Sequence, residues 1–180
     1  AKTPKRQQFG LFSNPYRRTR YHYITSIDKP DITAIQDLYG KTVAVGKEWM
    51  QEDYLSRHHP EIHLLRLNNL TEIIDALSSG KAYAAIDLKD VVQYQIRKDS
   101  ISDIKISSWA SDFDQGRSMK FYFFAQKSDP ELISILNKAL SAMPIEEIDR
   151  LNRKWFGAVD HIEPFILPGT VKFDRATFLI

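Results

Sequence analysis

Lys41-Thr-Val-Ala-Val45 opens the stretch that decides the fold, and two further apolar runs follow it, Ile62-His-Leu-Leu-Arg-Leu67 and Ala82-Tyr-Ala-Ala-Ile86. Each has the length and apolar character of a buried strand. Between the first two, Met50 to His58 reads as a helix. Between the second and third lies a helix with its start and stop written out: Asn69 as the N-cap, Glu72 at the capping-box position, Leu70, Ile73, Ile74 and Leu77 on one face, and Ser79-Gly80-Lys81 as its end. Val91 to Arg97 reads as a third helix and Ile104-Lys-Ile106 as a short fourth strand. This alternation predicts an α/β unit, a mostly parallel sheet with helices on both faces.

Outward from this core the pattern changes. Tyr21-His-Tyr-Ile-Thr25 before it and Met119-Lys-Phe-Tyr-Phe-Phe-Ala125 after it are long β-type runs, which predict two crossings to a second lobe. Phe9-Gly-Leu-Phe12 reads as a buried strand between a Thr-Pro turn and Ser13-Asn14-Pro15. Arg6 follows that first turn, and the fixed fork of donors on its guanidinium suits a planar carboxylate. Asp129-Pro130 starts a helix with Leu132, Ile135, Leu136, Ala139 and Leu140 as its apolar stripe. Pro144 opens a last helix ending at Lys154-Trp155-Phe156-Gly157, with Trp155 expected to anchor it. Past Gly157, Pro164, Pro168 and Gly169 mark an extended tail.

Composition excludes several classes of function. The chain of 180 residues has no cysteine, so disulfides, thiolate metal sites and a cysteine nucleophile are out of reach. The net charge is +2 with the cations scattered apart from Arg17, Arg18 and Arg20, which is not the footprint of a nucleic-acid binder. No apolar run approaches the ~20 residues of a membrane span, and the basic N-terminus is not a signal peptide. His58, His59 and His63 do not converge by spacing, so no metal is expected. Asp112, Asp114, Glu146 and Glu147 read as an exposed acidic face, with no nucleophile or base pattern beside them. Asn69-Leu-Thr71 matches a glycosylation sequon by letter, but the capping role accounts for it.

Thr3-Pro-Lys-Arg6, Phe12-Ser-Asn-Pro-Tyr16, Asp37-Leu-Tyr-Gly-Lys-Thr-Val-Ala-Val45, Ser79-Gly-Lys-Ala-Tyr-Ala-Ala-Ile86, Asp129-Pro-Glu-Leu132 and Lys154-Trp155 resemble, in order and spacing, the family 3 extracellular solute-binding proteins, over residues 2 to 156. Among these the likeness is greatest to the Venus-flytrap versions that act as periplasmic sensor domains of bacterial signalling proteins. The resemblance implies a periplasmic-binding-protein type II-like fold of two lobes joined by two hinge strands. Residues 1–25 correspond to part of lobe 1 and the first hinge strand, 26–117 to the complete lobe 2, 118–156 to the second hinge strand and the C-terminal helices of lobe 1, and 157–180 to a tail or linker. The family's first strands and helices precede the Thr-Pro-x-Arg turn, so the N-terminal part of lobe 1 is expected to be missing. An exposed surface is then expected to recruit a second copy or to be covered by the tail through Phe165, Ile166, Phe173 and Phe178.

What the resemblance implies for ligand binding is uneven along the chain. Arg6 falls where relatives pair with a ligand α-carboxylate, and Thr3 lies in the turn that presents it. After Val45 relatives carry small residues at a helix N-terminus, where backbone N–H groups receive an anion. This chain has Glu48-Trp49-Met50-Gln51 there. Leu88 stands where relatives hold a ligand ammonium with an acid, with Asp87 and Asp90 as neighbouring carboxylates, Asp87 on the opposite side of the strand. Tyr16, Trp49 and Tyr94 are candidate cleft aromatics. The expected ligand-binding set is therefore Arg6, Thr3, Tyr16, Trp49, Met50, Gln51, Asp87 and Leu88, with no cofactor. The implied function is an extracytoplasmic, periplasmic sensor domain that binds a small carboxylate-bearing ligand. Alternatives are the receptor of an amino-acid ABC transporter and, from another class, a dehydratase-like enzyme on the same fold.

Overall fold

The computed structural model describes residue 2 and residues 4–156. In chain order the elements are α1 (Pro4–Gln7), β1 (Gly10–Phe12), β2 (Arg17–Thr19), β3 (Tyr21–Ser26), β4 (Thr42–Gly46), α2 (Met50–His58), β5 (His63–Leu67), α3 (Leu70–Ser78), β6 (Ala84–Leu88), α4 (Lys89–Lys98), β7 (Ile104–Trp109), β8 (Met119–Phe121), β9 (Phe124–Gln126), α5 (Pro130–Ala142) and α6 (Ile145–Phe156). The chain divides into two units, one formed by residues 1–18 and 120–180 and the other by Thr19–Met119. It passes between the units twice, through β2 and β8, which pair with each other.

The Thr19–Met119 unit is built on a five-stranded sheet in the order β5-β4-β6-β3-β7. The three expected strands lie side by side, β4 parallel to both β5 and β6. Strand alternation explains why both faces are covered. Val43, Val45, Ala84 and Ile86 point into a core with Leu38, Leu55, Ile62 and Phe113. Ala44 and Ala85 point the other way, onto Ile73, Ile74 and Leu77 of α3 and Val92 of α4. Each large side chain fully buried in these layers stabilises the unit by about 1.5–3 kcal/mol. Asn69 caps α3 by accepting from the Glu72 N–H at 2.9 Å, a contact worth about 1 kcal/mol. The return arm of the expected capping box goes one residue further back, where Glu72 accepts from the Asn68 N–H at 2.9 Å.

Two expectations change in this unit. Tyr21–Ser26 is no crossing strand; it lies inside the sheet, antiparallel to both β6 and β7. The unit accordingly begins near residue 19 and ends near 119, where 26 and 117 were expected. The reason is where the chain enters. Tyr21 pairs with Leu88, the last residue of β6, so β3 starts at the edge where the parallel strands finish and has to run against them. β7 ends at that same edge, Trp109 opposite His22, so entry and exit both lie at the carboxyl ends of the parallel strands.

In the other unit, β1 pairs antiparallel with β9, Gly10 opposite Gln126 and Phe12 opposite Phe124. α5 packs on this pair, its Asn137 accepting from the Asn14 N–H at 2.6 Å. Phe9 lies outside the strand and is 68% exposed, so the buried run expected from Phe9 begins only at Gly10. The Met119–Ala125 run is split into β8 and β9. On α5 it is Ile133 that is buried, while Leu132 and Ile135 of the expected stripe are exposed, the latter by 62%. α6 is held through Arg17, which bonds to Asn152 and lies 3.7 Å from the Phe156 ring centroid. Trp155, the expected anchor, is 51% exposed. The expected role of Phe165, Ile166, Phe173 and Phe178 falls outside the described residues.

Candidate functional site

In open α/β sheets a crevice forms beyond the carboxyl ends of the strands where the winding reverses. Here the chain leaves β4 for β5 on one side and then returns to β6 on the other, so the reversal lies between the ends of β4 and β6. Gly46 to Met50 form one wall of this rim and Asp87 to Asp90 the other. Five positions named from sequence therefore come together: Trp49, Met50, Gln51, Asp87 and Leu88.

The Gly46–Met50 loop is wired internally. Lys47 N–H donates to the Leu67 carbonyl at 2.8 Å, and Trp49 N–H to the Gly46 carbonyl at 3.1 Å. Glu48, with φ of 61° in the left-handed region, donates its N–H to Glu52 Oε2 at 2.7 Å. Glu52 is held on its other side by Arg66 Nε at 2.5 Å. The Arg66 contact first, and then the Glu48 N–H, hold this carboxyl below its ordinary pKa. The Trp49 indole lies against Gly46, where a Cβ would meet its ring at 2.1 Å. Only glycine admits the ring so close to the end of β4. Met50 packs on the α2-side core and Trp49 on the opposite one.

On the facing wall, Asp87 is only 5% exposed. It accepts from Gln51 Nε2 at 3.4 Å and from the Leu88 N–H at 2.7 Å, and Gln51 is buried as well. Burial pushes the Asp87 carboxyl up to about 6, against the opposing pull of the Leu88 N–H. Burial, with the Asp87 charge next, raises the Tyr21 phenol too. Leu88 is half-buried against the core, and Asp90 is buried in the first turn of α4.

The remaining candidates lie in the other unit or elsewhere. Arg6 is exposed within the one-turn α1, where a loop was expected. Thr3 lies outside the described residues. Tyr16 stacks on Phe123 with ring centroids 4.6 Å apart and donates its N–H to the Phe121 carbonyl. Tyr94 is exposed on α4. His58 and His59 pack against Tyr54, and His59 Nδ1 lies 3.2 Å from the Tyr39 hydroxyl. His63 is exposed on β5.

Two groups escaped the sequence reading. Glu52 follows the N-cap Trp49 by three residues, the position from which a glutamate reaches back over a helix start, and that signal was available. Asp112, expected on an exposed acidic face, is half-buried: it accepts from the Tyr23 hydroxyl at 2.5 Å and the Ile35 N–H at 2.6 Å. No local pattern announces such a contact.

Comparison with known proteins fits this geometry. The family model for bacterial extracellular solute-binding proteins, family 3, matches residues 1–158. The virulence sensor protein BvgS of Bordetella pertussis is 27% identical over 154 residues, covering 85% of this chain and 12% of that protein. The arginine-binding extracellular protein ArtP of Bacillus subtilis is 30% identical over 159 residues, covering 86% and 59%. The chain thus spans less than two thirds of the length of these relatives. In fold it is similar to the periplasmic VFT2 domain of Bordetella pertussis BvgS, with a TM-score of 0.70 at 23% identity, covering 86% of this chain and 64% of that one. It is likewise similar to AbpA of Streptococcus pneumoniae, solved bound to L-arginine, with a TM-score of 0.72 at 22% identity and the same coverage. With its mixed five-stranded sheet, two chain crossings and a match along most of its length, the chain belongs to the family 3 bacterial extracellular solute-binding proteins, of Venus-flytrap, periplasmic-binding-protein type II fold.

Proposed function

We propose that the chain is a periplasmic sensor domain that binds a small carboxylate-bearing ligand and passes its state to a signalling partner, without catalysing a reaction. The observation that carries this reading is that both chain crossings leave the Thr19–Met119 unit at the edge where the switch-point rim lies. A ligand held at that rim sits beside the connections whose conformation it would bias. The sensor assignment draws on BvgS, in which the matching region is 12% of a larger protein named as a sensor. The second reading, a transport receptor, draws on ArtP. Among the described residues no helix is long and apolar enough to cross a membrane.

Within this reading Arg6 supplies the carboxylate contact, Tyr16 adds aromatic contact, and Thr3 remains a proposed member of the same set. Trp49, Met50, Gln51, Asp87 and Leu88 complete the proposed ligand-binding set. Calorimetry against a ligand found by thermal-shift screening of amino acids and other carboxylates is expected to show Arg6→Ala weakening binding by about 1.5–3 kcal/mol, the scale of a hydrogen bond to a charged group. Unchanged affinity would remove Arg6 from the site. A change in output of a sensor kinase carrying the domain on ligand addition favours the sensor, whereas ligand-dependent uptake favours the receptor.

We further propose that the exposed apolar surface of the first unit, including Phe9, Phe124, Leu132 and Ile135, associates with a second copy. Light scattering is expected to give a dimer mass, and Ile135→Lys a monomer. A monomer for the unaltered chain at all concentrations refutes this.

A further inference from the structure

Three polar side chains at the switch-point rim are almost wholly buried, yet each keeps an oxygen without a partner. Tyr21 is 4% exposed, Gln51 5% and Asp87 5%. Both hydrogen bonds to the Asp87 side chain end on Oδ1, from Leu88 N–H at 2.7 Å and from Gln51 Nε2 at 3.4 Å. Among the described residues nothing donates to Asp87 Oδ2 or to Gln51 Oε1, and the Tyr21 hydroxyl has no hydrogen-bond partner. Polar groups are rarely left bare in a protein interior, where an unmade hydrogen bond is costly. These oxygens are not sealed in, because every fully buried side-chain nitrogen and oxygen among the described residues is paired. They are therefore the parts of the three side chains that reach the surface, where β3 begins, β6 ends and α2 starts. Tyr21 stands opposite Leu88, the neighbour of Asp87, and the Asp87 charge acts on its phenol.

We propose that Tyr21 is a ligand-contacting residue: its hydroxyl and the free oxygens of Gln51 and Asp87 form a floor for a cationic, hydrogen-bond-donating ligand group, an ammonium or a guanidinium. This deepens the sensor reading and rests on the rim facing the ligand. The chemistry of the three oxygens sets the class: the carboxylate and amide oxygens accept, and a phenol oxygen can accept as well as donate. Asp87 titrates near 6, so above neutrality it is ionised. No cation among the described residues pairs with it. His22, opposite Asp87 in the register, is held below its ordinary pKa chiefly by burial, and Arg20 lies over the Trp109 ring. Asp114 acts on the Tyr21 phenol as well, and Arg117, 3.9 Å from Asp114, offsets part of that charge. A group bringing both N–H donors and positive charge answers the three acceptors and the unpaired carboxylate together.

The test titrates the unaltered chain with methylammonium and with guanidinium, each against tetramethylammonium, which has the charge but no N–H donor. Ionic strength is constant and the pH is one at which Asp87 is ionised. The readouts are the NMR signals of the Tyr21 ring carbon that bears the hydroxyl and of the Leu88 amide. Methylammonium or guanidinium is expected to move both saturably, the tighter of the two naming the group, while tetramethylammonium leaves both in place. Tyr21→Phe keeps the ring that packs on Phe113. It is expected to bind the better probe about three- to tenfold more weakly, and Asp87→Asn about tenfold or more. An equal response to tetramethylammonium, no saturable response to either donor, a Tyr21 signal that does not move, or unchanged affinity in a folded Tyr21→Phe overturns the proposal. The first three outcomes are read in the unaltered protein and decide the matter even if neither variant folds. A floor that fails while a carboxylate ligand still binds through Arg6 leaves the sensor reading standing. An ammonium response with no ligand found by calorimetry counts against that reading alone.

Discussion

Asp87→Asn is expected to stabilise the protein at pH 7 by about 3 kcal/mol and to remove a loss of stability that the unaltered chain suffers between about pH 4 and pH 6. Asp87 is buried, and its carboxyl titrates near 6 in the folded protein against an ordinary value of 3.8. Well below pH 3.8 both the folded and the unfolded chain hold this proton, and the side chain costs nothing electrostatically. As pH rises, the unfolded chain gives the proton up first, so folding is penalised until the folded carboxyl ionises near 6. Beyond that the penalty is constant, at about 1.4 kcal/mol per unit of pKa difference. Asparagine cannot ionise, and it can keep the bonds to Leu88 N–H and Gln51. The carboxyls held low by hydrogen bonds, among them Glu52, Glu72 and Asp37, act with the opposite sign and are common to both proteins. The difference between the two stability profiles therefore isolates Asp87. Urea midpoints from pH 4 to 7 should diverge by this amount; parallel profiles would show that Asp87 is solvated.

Asp112→Ala is expected to destabilise the Thr19–Met119 unit by about 2–5 kcal/mol, because it strips partners from two groups that cannot reach water. Tyr23 is fully buried and gives its hydroxyl to Asp112, while the other carboxylate oxygen accepts from the N–H of buried Ile35. Burial, and next the hydrogen bond to Asp112, push the Tyr23 phenol up, so it remains a donor throughout the physiological range. The contribution of the pair is read from a double-mutant cycle. Tyr23→Phe removes the orphaned hydroxyl, so adding Asp112→Ala to it should cost clearly less than Asp112→Ala alone. Equal costs in both backgrounds would show that the two side chains do not interact, and that Asp112 matters only through Ile35.

The local elements were legible because their signals lie within a few residues. The bounds of α2, the Asn69 cap and the apolar face of α3 all depend on contacts three or four positions apart, and all stand where the sequence puts them. The five rim residues were named through the family resemblance, and they lie near one another because the ends of β4 and β6 come together once those strands pair. How that rim is filled was harder to read. Glu52 at the third position of α2 carried a recognisable signal, but Arg66, its second holder, comes from the neighbouring strand.

By itself the sequence determined the alternation of strands and helices, the placing of β4, β5 and β6 in one sheet, and, through the order of its motifs, the family. Periodicity and caps are enough for that, since each strand shows which of its faces is apolar. Only the tertiary structure decided that β3 runs against its neighbours, that Asp112 is an internal partner and not part of an acidic surface, that Leu132 and Ile135 are exposed, and that Asp87 is buried. These features rest on groups far apart in the chain, 89 residues for Tyr23 and Asp112 and 77 for Ile35 and Asp112. A run of residues carries its own pattern, but the direction of a strand and the burial of a charge are set by what the rest of the chain packs against it.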